Sequence, residues 1–352
     1  MRLKRLEGEI RGRAKQAMGV ALRPVGLDLL TRDDTRSYLA THAIDPTPYV
    51  HVLRVGHAGV RTLEVLRSGL VRVNRKQILD VDYGNRAGVL GFRSERRHVD
   101  RALVLWSHFW TGYYHWTIDV LPKLCLLQDQ YGDALDGYAL CYPAFGEPYE
   151  REAFDLLGIP RDRVIDTRGL RSVVVGQEVA VVPLPGWQQI HPAISRVRQR
   201  LLDRGTGSLG PRIYVSRVGR RAVRNEPEVV AALRPYGFEV MEDRPRSVAE
   251  QIGFFRSAAV VVAPHGAALS NLLWCTPGTV VVEFFASGYQ PTFFRTLCHE
   301  LGLTYHSLMD PTNGRAKHHW TAVDHAVTVD VEALKDLLDS VVFPAHARGV
   351  RP

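Results

Sequence analysis

The chain has 352 residues, which is more than a single hydrophobic core usually supports, so we expect two domains. A composition of 45% apolar and 23% charged residues supplies enough material for such cores and excludes an intrinsically disordered chain. The net charge of +8 indicates either a solvated basic surface or a partner that carries negative groups, such as phosphates or an anionic membrane.

Residues 1–20 combine basic side chains with apolar ones at helical spacing. Leu3, Leu6 and Ile10 recur with Arg and Lys between them, which predicts a basic amphipathic helix. This helix could lie on an anionic membrane or dock on the protein's own surface. Charges interrupt any secretory apolar region, and no apolar run of about eighteen residues occurs, so we expect neither a leader nor a transmembrane helix.

The first half of the chain predicts strands and then an alternation of strands and helices. Short strands with turns are expected over about residues 45–100. A buried strand at 101–107 precedes a helix at 108–131, whose leucines form a core face. The elements that follow are a strand at 136–143, a helix at 147–159, a strand at 163–167 and β-structure at 172–186.

A second alternating series begins near residue 211. Its predicted strands cover residues 212–217, 238–243, 259–264, 279–285 and 304–309. Helices are predicted between them, after His265 and at 329–342, and Ser247 with Glu250 forms a capping box. Strands that alternate with helices predict open, mostly parallel sheets, so the fold class is α/β.

The stretch "DRGTGSLG" at 203–210 lacks periodicity and is typical of a linker. We therefore expect an N-terminal domain over 1–203, a C-terminal domain over 204–325, and a helix and tail over 326–352 that could pack back on the N-terminal domain.

The four cysteines do not form a C-x-x-C pair. They are Cys125, Cys141, Cys275 and Cys298, and three of them stand in apolar stretches. We expect buried thiols in a reducing compartment.

The segment "VVVAPHGAAL" passes from a predicted strand into a predicted helix at His265, Gly266 and Ala267. In open α/β sheets, ligands bind beyond the carboxyl ends of the strands. Glycine lets a ligand approach the backbone, and the first N–H groups of a helix favour phosphate. His265 could donate to a phosphate oxygen. The alternative is a tight turn in which the histidine has only a structural hydrogen bond.

Charged side chains stand at two neighbouring strand ends. Ser216 and Arg217 follow one strand, with Arg221 four residues later, and Glu283 ends another. Two guanidinium groups can bind a diphosphate through charge-assisted hydrogen bonds. A strand-end carboxylate can accept hydrogen bonds from ribose hydroxyls. The alternatives are a basic surface loop and an exposed charge.

The helix "GYYHWTIDVLPKL" carries His115 and Asp119 at i and i+4, so the two side chains share a face. Either could act as a general base that takes a proton from an acceptor hydroxyl. The alternative is a structural contact that holds the helix. The aromatic side chains around this pair, Trp110 and Trp116 among them, could stack on a sugar or belong to the core.

Signals for a metal are weak. Asp80 and Asp82 form a D-x-D, which holds a metal in some sugar-nucleotide enzymes, but it precedes the main alternating series. The run Lys317–Trp320 with His325 lacks the spacing of a closed metal site. We therefore predict no metal site.

Taken together, the motifs of the second half resemble those of glycosyltransferase family 61, which includes bacterial capsule-type enzymes and eukaryotic O-linked N-acetylglucosaminyltransferases. The family's S-R…R…N-E, H-G-A-x-L and G-x-x-V-V-E segments occur in order at Ser216-Arg217, Arg221, Asn225-Glu226, His265–Leu269 and Gly278–Glu283. The upstream "HWTIDVLPKL" is similar to the family's H-W-x-x-D-x-L-P. The resemblance covers about residues 105–285, and Ala268 stands where many members have glycine.

This resemblance implies a GT-B-like fold, with two Rossmann-like domains facing across a cleft. It implies an inverting, metal-independent transfer of a sugar from a nucleotide diphosphate, with UDP expected, and no cofactor. Arg217, Arg221, His265, the N–H groups from Gly266 and Ala267, and Ser216 would bind the donor, Glu283 its ribose, and Asp119 or His115 would be the base.

The implied setting is a cytoplasmic enzyme, at the inner face of the plasma membrane, that extends a glycan or lipid-linked acceptor in capsular or other surface polysaccharide biosynthesis. Two other classes stay open. One is a non-catalytic polyanion- or nucleic-acid-binding protein, although no nucleic-acid motif supports it. The other is an inactive family member that acts as a scaffold.

Overall fold

The structure is a computed structural model that describes residues 28–30, 32–44, 50–79, 94–105, 111–182, 190–312 and 324–343. Several sequence predictions lie outside these residues, namely the basic helix over 1–20, Asp80 and Asp82, Trp110, and the run Lys317–Trp320.

The chain forms two compact units. The first unit comprises Met1–Glu150 and Gly158–Arg196, and the second unit comprises Arg151–Leu157 and Val197–Pro352. The division near residue 196 lies a few residues before the domain boundary that the linker composition predicts at 203.

From residue 28 to residue 201 the chain forms these elements in order: β1 Asp28–Leu29, α1 Arg32–His42, β2 His51–Arg54, β3 Leu63–Leu66, β4 Val71–Val73, β5 Gln77–Leu79, β6 Arg96–Val104, α2 Tyr113–His115, a π-helical turn Trp116–Val120, α3 Leu121–Tyr131, a 3-10 turn Gly132–Gly137, β7 Ala139–Tyr142, α4 Pro148–Leu156, β8 Val164–Asp166, β9 Ser172–Val181 and α5 Ile190–Leu201.

One mixed sheet runs through the first unit, in the order β1-β5-β4-β3-β9-β6-β7-β8, with β2 also paired to β9. Strands β9, β6, β7 and β8 pair in parallel with one another, whereas β3, β4 and β5 form an antiparallel meander. Strand β9 is antiparallel to β2 and β3. The apolar ends of β6 and β9 are buried, as in strands covered on both faces. The predicted alternation of strands and helices after residue 100 is confirmed.

The second unit contains, in order, β10 Arg212–Val215, α6 Glu226–Leu233, β11 Glu239–Met241, α7 Val248–Ser257, β12 Val260–Pro264, a 3-10 helix Ala267–Trp274, β13 Val280–Phe285, α8 Phe293–Glu300, β14 Thr304–Met309, α9 Val331–Leu337 and a π-helical turn Leu338–Val342.

The five strands of the second unit form a parallel sheet in the order β11-β10-β12-β13-β14. The chain passes from β10 outward to β11 and then returns across β10 to β12. Loops that follow adjacent strands at such a reversal turn to opposite faces of the sheet, which leaves a crevice at the carboxyl ends. The segments after β10 and β12 therefore flank the expected ligand position of this fold.

The C-terminal helix α9 packs on the second unit. Leu334 and Leu338 are fully buried in the same cluster as Val229 and Leu233 of α6, and the Tyr236 hydroxyl donates to Asp339 at 2.7 Å. Helix α9 thus buries apolar side chains against α6 of the same unit, and the packing of residues 326–352 on the N-terminal domain stays a prediction.

The four cysteines are free and buried, as predicted. Burial raises the pKa of both Cys141 and Cys298 to about 12, which keeps these thiols protonated and unreactive. Among the described residues, no helix is long and apolar enough to cross a membrane.

Helix α7 lies against the extended segment at Thr206 and Gly207. Gly253 faces this segment so closely that a Cβ added there would overlap with the carbonyl oxygen of Thr206. Because the obstacle is backbone, it cannot move aside as a flexible side chain would.

We expect Gly253→Ala to lower the free energy of unfolding by about 1–2 kcal/mol, because overpacking outweighs the gain of about 1 kcal/mol in helix propensity. Urea unfolding monitored by circular dichroism measures this change. Gly169→Ala is the matched control, since its added Cβ would meet no atom within 4 Å. Equal midpoints for the two variants would contradict the close contact.

Candidate functional site

The residues predicted to bind phosphate lie at the carboxyl ends of adjacent strands. Ser216 follows β10, and its backbone N–H donates to the Met241 carbonyl at 2.9 Å, which extends the pairing with β11. His265 follows β12, and its backbone N–H donates to the Phe284 carbonyl at 2.9 Å. Arg217 and Gly266 come next on each side, so both predicted motifs begin at the point where the strand order reverses.

The guanidinium group of Arg217 lies directly on the backbone of Gly266. A Cβ at Gly266 would overlap with Nη1 of Arg217. The φ angle of Gly266 is 174°, an extended value that any residue adopts, so glycine is required here for space and not for backbone conformation. The space at Gly266, predicted from the sequence to admit a ligand, is filled by Arg217, whose Nε donates to the Arg220 carbonyl at 2.5 Å.

Arg221 adopts a left-handed backbone conformation, with φ at 62°. This conformation costs a non-glycine residue about 1–2 kcal/mol, and such costs are concentrated at functional sites. Flanking contacts impose it: the Val218 N–H donates to Asp243 at 2.8 Å, and Ala222 and Arg224 form backbone hydrogen bonds with Val327.

The two arginines form a cluster of like charge. Burial, and then the charge of Arg221, lowers the pKa of Arg217 to about 10. Burial likewise lowers the pKa of Arg221, and Arg220 adds to this effect. Nε of Arg221 is buried and has no hydrogen-bond partner within the described part of the chain. A cluster with this excess of positive charge favours an anion.

Tyr289 lies beside this cluster, and the sequence analysis did not single it out. The guanidinium carbon of Arg221 is 5.8 Å from the centre of the Tyr289 ring, and the same ring makes an edge contact with the His265 imidazole at 5.4 Å. The only sequence signal was an aromatic residue in the turn "GYQP".

His265 is buried and tied to a carboxylate. Its Nδ1 lies 2.5 Å from Oε1 of Glu283, and its ring packs on Phe285 and Phe294. Burial lowers the pKa of His265, Glu283 opposes this change, and the charges of Arg221 and Arg217 lower the pKa further.

Glu283 has no exposed side-chain surface. While Oε1 accepts from His265, Oε2 accepts from the hydroxyl of Tyr305 at 2.7 Å. With both oxygens engaged inside the protein, the carboxylate does not fit the ribose contact that the sequence analysis expects. Tyr305 is a second residue that sequence reasoning missed, because only the pairing of β13 with β14 brings it to Glu283.

The helix predicted after His265 is a 3-10 helix, Ala267–Trp274. Gly266 occupies its N-cap without a side-chain cap, and the first N–H groups of a helix have no acceptor within the helix. Within this 3-10 helix, the side-chain amide of Asn271 donates to the Ala268 carbonyl at 3.1 Å. Ala267 therefore stands at the helix start, where the sequence analysis places a phosphate.

In the first unit, His115 and Asp119 are in direct contact. Nδ1 of His115 lies 2.7 Å from Oδ2 of Asp119, and both side chains are partly exposed. Asp119 belongs to the π-helical turn between α2 and α3, and such turns are rare and frequent at functional sites. The contact can fix the orientation and the tautomer of the imidazole.

Two aromatic residues lie near this pair, the buried Trp116 and the partly buried Tyr114. Trp116 is buried and packs on Tyr142 and Phe145, so it belongs to the core. Burial, followed by the charge of Asp119, raises the pKa of Tyr114.

A groove of about 700 Å³ lies between α6 and α9. It is lined by the carboxylates of Glu228, Glu332 and Asp339 with Lys335, and it contains no residue from the segments after β10 and β12. Its acidic lining does not suit an anion. Within the described ranges, no group of three His, Cys, Asp or Glu side chains could hold a metal.

Comparison with known proteins finds similarity over part of the chain. A family model described as Glycosyltransferase 61 matches residues 113–282, a segment that contains His115, Asp119, Arg217, Arg221 and His265. The chain is similar to the xylan glycosyltransferase MUCI21 of Arabidopsis thaliana, with 28% identity over 188 residues, which is 44% of this chain and 37% of that protein.

Two further relatives are similar over shorter segments. The β-1,2-xylosyltransferase RCN11 of Oryza sativa subsp. japonica is 37% identical over 62 residues, 18% of this chain and 12% of that protein. A β-1,2-xylosyltransferase of Arabidopsis thaliana is 31% identical over 88 residues, 25% of this chain and 16% of that protein. The matched segments therefore cover between 12% and 37% of the length of these relatives. The segment matched by the family model contains both the paired His115 and Asp119 and the arginine cluster, so over residues 113–282 the chain is similar to glycosyltransferase family 61.

Proposed function

We propose that this protein transfers a sugar from a nucleotide diphosphate, most simply a UDP-sugar, to a hydroxyl of a glycan or lipid-linked glycan. The observation that carries the proposal is the arginine cluster at the strand reversal of the parallel sheet, where Arg217 and Arg221 lie beside His265 and the start of the 3-10 helix. The names of the similar proteins support a pentosyl donor, with xylosyl the first candidate.

In this proposal the second unit binds the donor. Arg217 and Arg221 neutralise the diphosphate, and the N–H groups at Gly266 and Ala267 bind its oxygens. Charge develops on the diphosphate as the glycosidic C–O bond breaks, so groups fixed at that position stabilise the transition state. Two guanidinium groups supply the positive charge that a divalent metal supplies elsewhere, which supports a metal-independent reaction.

The first unit supplies the base. The acceptor oxygen attacks the anomeric carbon in line with the departing diphosphate, which inverts that centre, and the acceptor proton passes to the base. We assign the base to His115, because a tautomer that donates Nδ1–H to Asp119 has its basic lone pair on Nε2. Asp119 then stabilises the imidazolium that forms. A GT-B-like pairing of the two units and synthesis of a surface polysaccharide, at the inner face of the plasma membrane, complete the proposal.

The direct test is a calorimetric screen of nucleoside diphosphates and nucleotide sugars, UDP and UDP-xylose included, with EDTA present. We expect saturable binding that EDTA leaves unchanged. Because only a few charges are involved, the dissociation constant should depend weakly on salt, whereas a polyanion-binding protein shows a steep dependence. Binding that requires a divalent metal would contradict the assigned role of the arginines, and binding without any transfer to acceptors would favour an inactive family member.

Gly266→Ala tests the contact between Arg217 and the backbone. The added methyl group displaces the guanidinium, and we expect the dissociation constant for UDP to rise about tenfold or more, since a hydrogen bond to a charged group contributes about 1.5–3 kcal/mol. A double-mutant cycle with Arg217→Ala is the control. If Gly266→Ala acts through Arg217, the double variant binds no worse than Arg217→Ala alone. Additive losses would instead mean that the added methyl group weakens binding independently of Arg217.

His115 and Asp119 are tested by steady-state kinetics and donor binding. We expect His115→Gln to lower kcat by about 10²–10⁴-fold, the usual contribution of a general base, with the dissociation constant for UDP unchanged. Asp119→Asn keeps the shape of the side chain and should lower kcat less. Activity at the wild-type level in both variants would place the base elsewhere.

A further inference from the structure

A chain of buried hydrogen bonds runs from β14 through β13 to the candidate phosphate site. The Tyr305 hydroxyl donates to Oε2 of Glu283, whose Oε1 lies 2.5 Å from Nδ1 of His265. Glu283 is completely buried and His265 is 5% exposed. A carboxylate held so close to Nδ1 requires the proton on that nitrogen, so the neutral imidazole has its lone pair on Nε2.

This tautomer raises a question for phosphate binding. A neutral imidazole with Nδ1–H has only an acceptor at Nε2, and two acceptors, Nε2 and a phosphate oxygen, repel each other. Donation to the phosphate therefore requires a second proton on the ring. In the free protein this protonation is opposed by burial and by the positive charges of Arg217 and Arg221, which lower the pKa of His265.

A bound diphosphate reverses this balance. Its negative charge neutralises the two arginines and directly favours an imidazolium, while Glu283 already provides a counter-charge on the other side of the ring. We propose that binding of a nucleoside diphosphate is coupled to uptake of one proton, which passes from solvent to Nε2 of His265, with Glu283 and Tyr305 as the positioning residues that hold Nδ1–H. This inference rests on the donor site proposed above and defines how that site is regulated by pH.

The groups around the imidazole support this assignment. Arg217 and Arg221 face it from the segment after β10, and Tyr289 contacts its ring. On the far side, burial and then Glu283 keep Cys298 a neutral thiol, and the positive charge of Arg295 acts on Tyr305. Burial, and then the charge of Glu283, raises the pKa of Tyr305, so its hydroxyl remains a donor at neutral pH.

The sign of the pH dependence follows from linkage. Below the pKa of His265 in the free protein, the ring is already protonated and affinity is at its highest. As the pH rises through the interval between the free and the bound pKa, the dissociation constant increases by about tenfold per pH unit. Above the pKa of the bound state, the affinity is constant again.

Calorimetric titration with UDP at pH 7.5, in buffers of different ionisation enthalpy, counts the protons directly. We expect the wild-type protein to bind as much as about one more proton per UDP than His265→Asn does, since the imidazole is the titrating group that this substitution removes. Asparagine can still donate to Glu283 but does not titrate, and the phosphate of UDP contributes equally to both proteins. His299→Asn is the matched control, because the His299 side chain is 86% exposed, and it should behave as wild type.

Two further variants separate positioning from a merely structural role. Glu283→Gln removes the counter-charge, so the pH at which affinity falls should move downward. Tyr305→Phe removes a donor from the carboxylate and leaves its negative charge stronger at the imidazole, so that pH should move upward. A loosened structure would not shift the two profiles in opposite directions, and shifts of the same sign, or none, would overturn the assignment.

The outcomes distinguish this inference from the proposed function. Binding of UDP with the same proton count in wild type and His265→Asn overturns the coupling and leaves the donor site intact. A failure of the wild-type protein to bind UDP, other nucleoside diphosphates and inorganic pyrophosphate overturns the donor site, and the coupling with it. If Glu283→Gln does not fold, the comparison of wild type, His265→Asn and Tyr305→Phe still shows whether UDP binding is coupled to protonation of His265.

Discussion

The close approach of Arg217 to the backbone of Gly266 connects the two strand ends on which the candidate donor site depends. Strands β10 and β12 are adjacent and parallel, so their carboxyl ends already lie at one edge of the sheet. A side chain at position 266 would separate the guanidinium from that edge. The missing Cβ thus lets an arginine from one strand end reach the turn at the other, and a positive charge is fixed where the strand order leaves a crevice.

It is unfavourable to hold the positive charges of Arg217 and Arg221 close together without a ligand. Backbone contacts from the segment that contains Val327 and Val329 keep the loop that carries these arginines in place. Arg217 and Arg221 repel each other while half-buried, and the backbone of Arg221 is left-handed. Val327 and Val329 fix the loop, since Val327 forms backbone hydrogen bonds with it and the Asn225 amide both donates to and accepts from the Val329 backbone. The same segment leads into α9, which explains why this helix packs on the second unit.

Sequence reasoning identified what periodicity and strand order determine. Alternating apolar runs predicted the parallel sheets, and Arg217 and His265 could be placed at one edge because parallel strands end on the same side. It did not identify what depends on tertiary neighbours. The burial of Glu283 depends on Tyr305 in the next strand, and the space at Gly266 depends on where Arg217 folds. The π-helical turn at Asp119 has no pattern in a single sequence.

A histidine paired with a carboxylate occurs twice in the chain, in two different environments. In both pairs, His115 with Asp119 and His265 with Glu283, a carboxylate lies against Nδ1 and leaves the acid–base chemistry to Nε2. The first pair is partly exposed, and in our proposal its imidazole takes the proton of the acceptor hydroxyl. The second is enclosed by aromatic rings beside two arginines, where burial and these positive charges lower the pKa of the imidazole. In the proposed mechanism, burial and neighbouring charge, rather than residue type, therefore distinguish the histidine that receives the acceptor's proton from the histidine that binds the leaving diphosphate.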